Sequence, residues 1–323
     1  MLSINKTRNY NALAVAAFAI SLYGTNAVVM KVGIETMDPL LFSSLRFFLI
    51  GLILLSFVHS LSFLKNKWLL LQLGVSVAFI IVFVVAFPLG VDASTALKAS
   101  ILGLTTPIFV YLFSLILLHE PAIKRVLIGG MISLTGGLML IGLPVVLGQT
   151  LVLGDVLLLT AYASVAAGIV HAKYMYTWLA PNELISLRFI LAGGLVLAYV
   201  AISSDWSTLP LGDSVAWWSL LYCTIVPGVI ANGLYYWSLH EVRAEDTAPI
   251  YYLEPLVGAA AAATLLGERL AVSAVIGAVV ILAGVLLSHP HHVRVFHHYH
   301  VHTKHHKSHF MQRLFARLGV IDS

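Results

Sequence analysis

The chain is written twice. Lys31, Pro39 and Arg46 recur as Lys173, Pro181 and Arg188, 142 residues further on. Pro107, Glu120, Gly129 and Gly136 recur as Pro255, Glu268, Gly277 and Gly284, 148 residues further on. Nearly all of both copies is apolar sequence of membrane grade. A duplicated hydrophobic unit confines the fold to a repeat architecture within a bilayer. It is also the sequence signature of secondary transporters, which place a solute site near the midplane between the two copies.

Composition agrees. Sixty per cent of the 323 residues are hydrophobic and 10% are charged, against roughly 25% charged in soluble domains. Such a chain cannot coat a globule with polar surface, and lipid must solvate it. Lys6 and Arg8 precede an apolar run of spanning length without a small-residue cleavage pattern, which reads as a retained first helix and not a signal peptide. The single cysteine, Cys223, lies in an apolar run; it excludes an intrachain disulfide and reads as a packing residue. The net charge is +4, with the basic residues gathered at loops and at the C-terminal tail. That distribution points to membrane orientation and not to nucleic acid.

A spanning helix needs about 20 mostly apolar residues. Runs of that kind fall at 11–33, 40–59, 68–88, 94–118, 123–143, 153–178, 183–203, 214–239, 245–266 and 272–288. The expected fold is an all-α membrane protein of ten transmembrane helices in two five-helix repeats, 11–143 and 153–288. A short N-terminus, 1–10, and a basic tail, 289–323, flank them. Five is odd, so the second copy enters from the opposite side and the repeats are inverted. Lys6, Arg8, Lys65, Lys67, Lys124, Arg125 and the tail all fall on one side, which the positive-inside bias makes cytoplasmic; Lys31 and Arg269 are exceptions. The expected location is a bacterial cytoplasmic (inner) membrane, with both termini cytoplasmic.

The sequence resembles the drug/metabolite transporter superfamily, in its ten-helix EamA type. The resemblance rests on Tyr23-Gly24-Thr25-Asn26 through Lys31-Val32-Gly33, and on Asp38-Pro39 through Leu45-Arg46-Phe47. Leu187-Arg188-Phe189, Tyr252-Leu253-Glu254-Pro255 and Leu266-Gly267-Glu268-Arg269-Leu270 supply the second copy. It covers roughly residues 11–288, and it departs from the usual Trp-Gly pair of span one, which is Tyr23-Gly24 here. The resemblance implies a central cavity among spans one to four and six to nine, with spans five and ten peripheral. It further implies alternating access and carriage of amino acids or other small metabolites, often as export.

Several polar residues inside the runs are candidates for contact with a small-molecule substrate. Lys98 stands in span four among Ala, Ser, Thr and aliphatic residues. Two readings are open: it binds a substrate carboxylate or phosphate, or it snorkels to the nearer interface. Glu254, before Pro255, suits proton exchange or ammonium recognition, or simply accepts hydrogen bonds around the proline-freed backbone. Tyr23 and Asn26 in span one, Thr105 in span four, Asn232 and Trp237 in span eight and Tyr251 in span nine complete the set. Buried amides are costly in lipid and should face the bundle interior, and aromatic rings give a cavity apolar walls. Tyr235, Tyr236 and Trp237 lie close to a span end, where an interfacial belt or plain packing is the favoured reading. Lys31, Lys173, Arg46 and Arg188 are read as cations near the membrane faces, with substrate contact the less favoured alternative, and His171 as a hydrogen-bonded structural residue in preference to a proton relay.

The tail from His289 to His309 carries ten histidines. His297, His298, His300, His302, His305 and His306 are candidate ligands for zinc, nickel or copper in a loose site. Phe310, Met311, Leu314, Phe315, Leu318 and Val320, interleaved with Arg313 and Arg317, form an apolar face at helical spacing that suits a bilayer surface. No cofactor is otherwise expected. The sequence has no Walker A loop and no nucleophile with an ordered base, so neither ATP-driven transport by this chain alone nor enzymatic hydrolysis is supported. Two functions remain: a secondary transporter of small polar organic metabolites, probed by organic ligands, and a metal-responsive membrane protein or metal-cation transporter that uses the tail.

Overall fold

A computed structural model describes residues 6–58, 65–94, 102–119, 124–141, 153–203, 212–242, 244–265 and 272–288. These residues are helical, and no strand occurs among them. The first half comprises α1 (Lys6–Gly24), α2 (Asn26–Ile34), α3 (Pro39–Leu55), α4 (Lys67–Asp92), α5 (Thr106–Leu117) and α6 (Lys124–Ile141). The second comprises α7 (Leu153–Met175), α8 (Pro181–Ser203) and α9 (Ser214–Cys223). A π-helical segment, Thr224–Ala231, leads into α10 (Asn232–Glu241) and the short α11 (Ala244–Thr247). A 3₁₀ turn, Ala248–Tyr252, then precedes α12 (Leu253–Leu265) and α13 (Val272–Ser288).

Five stretches are long and apolar enough to cross a bilayer: Asn11–Ile34, Lys67–Asp92, Leu153–Met175, Pro181–Ser203 and Ser214–Glu241. The shorter apolar helices include Pro39–Leu55, Thr106–Leu117 and Val275–Ser288. Large apolar side chains such as Phe18, Leu71, Ile116, Ile202 and Trp218 stand exposed on the outside of the bundle. In water so much apolar surface would drive aggregation, whereas hydrocarbon is its natural solvent. The protein is an integral membrane protein.

The helix starts are encoded locally. Asp38 caps α3, accepting from Leu41 N at 2.8 Å, and Pro39 follows at the first position. The second copy has Ala180 in place of the aspartate, and Glu183 reaches back to accept from Ala180 N at 3.0 Å. Asn66 and Asp213 cap α4 and α9 through their side chains. Thr36 also donates its hydroxyl to Asp213, and together with the amides of Ala216 and Val215 this holds the exposed carboxyl below the usual carboxylate range. A lowered folded value contributes stability above the unfolded pKa of about 4, lost as pH falls through the folded one. Asp213→Asn should therefore melt below wild type at pH 6, with the gap narrowing as pH is taken below 4; a gap that stays constant on acidification would rule this linkage out.

Helices that occupy the same place in the two halves pack on one another. α3 lies along α8, and α6 along α13. Glycines permit the approach. A Cβ on Gly51 would meet Ile190 N at 2.5 Å and Ser186 O at 2.8 Å; one on Gly193 would meet Ser44 O at 2.8 Å and Phe48 N. Gly284 faces Gly129 O at 2.5 Å, and Gly136 faces Gly277 O at 2.7 Å. Residue numbers rise along one helix as they fall along its mate, so each pair runs antiparallel. Other close pairings also cross between halves: α7 packs on α4 and α5, while α1 packs on α10 and α12, with α2 against α9.

Candidate functional site

The helix interruptions converge. Span one breaks between α1 and α2 at Thr25, span eight passes through the π-helical segment, and span nine enters through the 3₁₀ turn. Backbone irregularity at membrane depth persists where other groups satisfy the freed amides and carbonyls. In span eight the Asn232 side chain bonds the backbone of the π-helical segment, its Nδ2 donating to Gly228 O at 2.9 Å and Pro227 O at 3.1 Å. Its Oδ1 accepts from the Tyr23 hydroxyl at 3.0 Å. Two residues along, the Thr25 and Tyr222 hydroxyls share a hydrogen bond at 2.9 Å. Spans one and eight are thus tied across their breaks by two side-chain hydrogen bonds. Their counterparts, α4 and α7, are continuous helices.

Gly24 lets span nine close on this junction: a Cβ there would meet Glu254 O at 2.5 Å and Gly258 N at 3.0 Å. Aromatic rings line the junction. Tyr235 meets Tyr23 edge-on at 6.4 Å between centroids, and Tyr251 and Tyr236 each at 5.4 Å. The Tyr235 hydroxyl shares a hydrogen bond with Thr247 at 3.3 Å. Glu254 is half-buried, within electrostatic reach of the Tyr23 and Tyr162 phenols. The Asn26 amide oxygen is buried without a hydrogen-bond partner.

Tyr23, Asn26, Asn232, Tyr251 and Glu254 therefore gather around one junction. Thr105 spends its hydroxyl on Leu102 O at 2.6 Å, at the start of α5. Trp237 is half-buried on the side of α10 away from Tyr235, since two residues along a helix turn the side chain by about 200°. Lys98 lies outside the described residues, as do His297, His298, His300, His302, His305, His306 and the rest of the tail. Among the described residues no group of three or more His, Cys, Asp or Glu side chains could hold a metal ion.

Four expectations are corrected. Arg46 and Arg188 are interior residues, 7% and 0% exposed, and not cations at the membrane faces. Arg188 rests its guanidinium over the Tyr236 ring at 4.5 Å and donates from Nη1 to Gly168 O at 3.3 Å. Arg46 lies within electrostatic reach of the Tyr23 hydroxyl and Cys223. Tyr235 and Tyr236, 1% and 4% exposed, belong to the interior cluster and not to an interfacial belt. The signal that could have found the arginines was in hand: Leu-Arg-Phe occurs once in each copy, and hydropathy does not reveal which way a helix face turns. Lys173 keeps its place near an end but acts within the chain, donating to Leu239 O at 2.7 Å and to Val242 O, where α10 terminates. That is favourable C-terminal charge for the helix dipole. His171 is hydrogen-bonded to Gln72 at 3.0 Å, in line with the structural reading.

A lipid-facing helical bundle that gathers amides, phenols and a carboxylate at opposed helix breaks is the architecture of a membrane transporter. The sequence profile of the EamA-like transporter family matches residues 11–142 and again 152–289. The chain belongs to that family; it is a transporter and not an enzyme. It is 28% identical over 287 residues to a Salmonella typhimurium protein named "Probable amino-acid metabolite efflux pump", covering 84% of this chain and 93% of that protein. The Escherichia coli protein of the same name is 26% identical, over 84% of this chain and 93% of its own length. Protein PecM of Dickeya dadantii is also 26% identical, over 84% and 90%. A solved crystal structure superposes with a TM-score of 0.70 at 16% identity, over 86% of this chain and 96% of that one, a likeness of fold alone.

Proposed function

We propose that this protein is a secondary active transporter of small polar organic metabolites, amino acids or related compounds, that exports them across a bacterial inner membrane. Its mechanism is alternating access between two inverted repeats of five membrane-crossing helices. The observation that carries the reading is the junction where Tyr23 of the first copy meets Asn232 of the second at two opposed helix breaks. Chamber residues drawn from both copies, on interrupted helices, are where a substrate is held while the halves rock around it. The antiparallel packing of α3 on α8 and of α6 on α13 supports inversion, since a two-fold axis in the membrane plane reverses each helix relative to its mate. The relatives' names support amino-acid metabolites as cargo and efflux as direction. The one-sided placement of Lys65, Lys67, Lys124 and Arg125 supports cytoplasmic termini.

The test is thermal stability of the purified protein against amino acids, amines, phosphorylated metabolites and divalent metals, intact and with residues 289–323 removed. A ligand at a hundred times its dissociation constant adds about 2.7 kcal/mol of apparent stability. Amino acids are expected to raise the melting temperature equally in both forms, and the same compounds to exchange across proteoliposomes. Stabilisation confined to metals, and lost with the tail, would refute metabolite transport and leave the histidine tract as the functional element.

A further inference from the structure

We infer that Arg188 is the carboxylate-recognition residue of the transport chamber, and that its Nε–Nη2 edge receives the substrate's carboxylate. The inference rests on the transporter reading above and names the chemical class of its cargo: small organic acids, amino acids among them.

Arg188 is fully buried, and a guanidinium stays protonated in any protein environment. A buried cation without compensation is among the costliest features a fold can retain. Compensation here is partial. Nη1 is used by Gly168 O, and the Tyr236 ring lies beneath the guanidinium plane. Nε and Nη2 have no hydrogen-bond partner, and Arg188 makes no ion pair among the described residues. Those two nitrogens form one edge of the guanidinium, with parallel N–H bonds whose spacing matches the two oxygens of a carboxylate. The group is therefore fixed from behind by a carbonyl and a ring, while its bidentate edge is unspent.

Its position connects it to the chamber. Tyr236 contacts Tyr235, which in turn contacts Tyr23 and Tyr251, so Arg188 closes the end of the aromatic cluster that the helix breaks surround. A structural role alone would be met by Nη1 and would leave the other edge uncompensated. Arg46, its mate in the first copy, has Nε as its one buried unpartnered atom and rests against Phe47 at 5.5 Å. The duplication has thus left two interior arginines in unequal settings, and Arg188 is the one with a complete vacant fork. In the fully buried arrangement described here the edge is occluded, so the carboxylate reaches it when the halves part.

Wild-type protein, Arg188→Lys, Arg188→Gln and Arg46→Lys are compared against the proteinogenic L-amino acids and their methyl esters. Binding is followed by thermal shift and by counterflow in proteoliposomes. Wild type is expected to bind the acids about tenfold or more tightly than their esters, the worth of one bidentate charge-assisted pair. Arg188→Lys should lose about tenfold for the acid with little change for the ester, and Arg188→Gln should lose the discrimination. Arg46→Lys should keep it. Equal binding of acid and ester by wild type overturns the assignment of Arg188 while leaving the transporter reading intact. That comparison decides the matter even if no Arg188 variant folds. Failure of wild type to bind or move any organic compound sinks the transporter reading, and this inference with it.

Discussion

Alanine at Gly193 is expected to disrupt the bundle, while alanine at the adjacent Gly194 leaves it folded. The added Cβ at Gly193 would lie 2.8 Å from Ser44 O and 2.9 Å from Phe48 Cα, all backbone of α3, which cannot step aside. At Gly194 the nearest atom is the Phe48 ring, at 3.4 Å, an ordinary van der Waals contact. Overpacking of a tight interface costs about 1–3 kcal/mol, towards the upper end where the neighbour cannot yield. Gly51→Ala, the same lesion from the other copy, should behave like Gly193→Ala, because its Cβ meets Ile190 N and Ser186 O. A second adjacent pair repeats the contrast. Gly129 faces Gly284 O at 2.5 Å, whereas a Cβ on Gly130 meets nothing within 4 Å. Melting temperature in detergent and yield of monodisperse protein are the measurements. If Gly193→Ala and Gly194→Ala melt alike, the backbone approach of α3 and α8 is not what the geometry describes.

Asn232→Ala is expected to abolish transport and to destabilise the protein by about 2–4 kcal/mol. The change removes one donor from each of Pro227 O and Gly228 O and the acceptor of the Tyr23 hydroxyl at one stroke. A buried polar group left without a partner costs about 1–3 kcal/mol, offset in part where the junction relaxes or water enters. Tyr23→Phe removes one of these bonds and should cost about 1 kcal/mol, with transport reduced but measurable. Asn232→Asp keeps an acceptor for Tyr23 but turns the donor that faces two carbonyls into an oxygen, so it should behave like alanine. Melting curves and proteoliposome exchange for the three variants provide the check. Wild-type exchange in Asn232→Ala would remove the junction from the mechanism.

Much of this protein was legible before any coordinates. Apolar runs of spanning length, the recurrence of Pro39 and Arg46 as Pro181 and Arg188, and the duplicated glycines are one-dimensional signals. Each survives into structure because lipid demands continuous apolar surface and close helix approach demands the absence of a Cβ. Tyr23, Asn26, Asn232, Tyr251 and Glu254 could be picked out as candidates by a similar argument, since polar groups in lipid-spanning sequence must turn inward. The structure brings those five to one junction, while Trp237 lies on the far side of its helix and Thr105 is engaged with its own backbone.

Residue order alone puts the chain in lipid, builds it from two copies and turns its polar residues inward. Hydropathy and repetition depend on composition along the chain, and the chain displays them directly. Three outcomes came from packing: Arg46 and Arg188 point into the bundle, Tyr235 and Tyr236 join the interior, and span eight passes through a π-helical segment bonded by Asn232. Those outcomes depend on which face of a helix meets which neighbour. A proline at 227 announces a missing amide, but whether the helix kinks, breaks or widens is set by what packs and bonds around it. Here the Asn232 amide, five residues on, donates to the proline's own carbonyl, and its other end is held by a phenol from the opposite half of the protein.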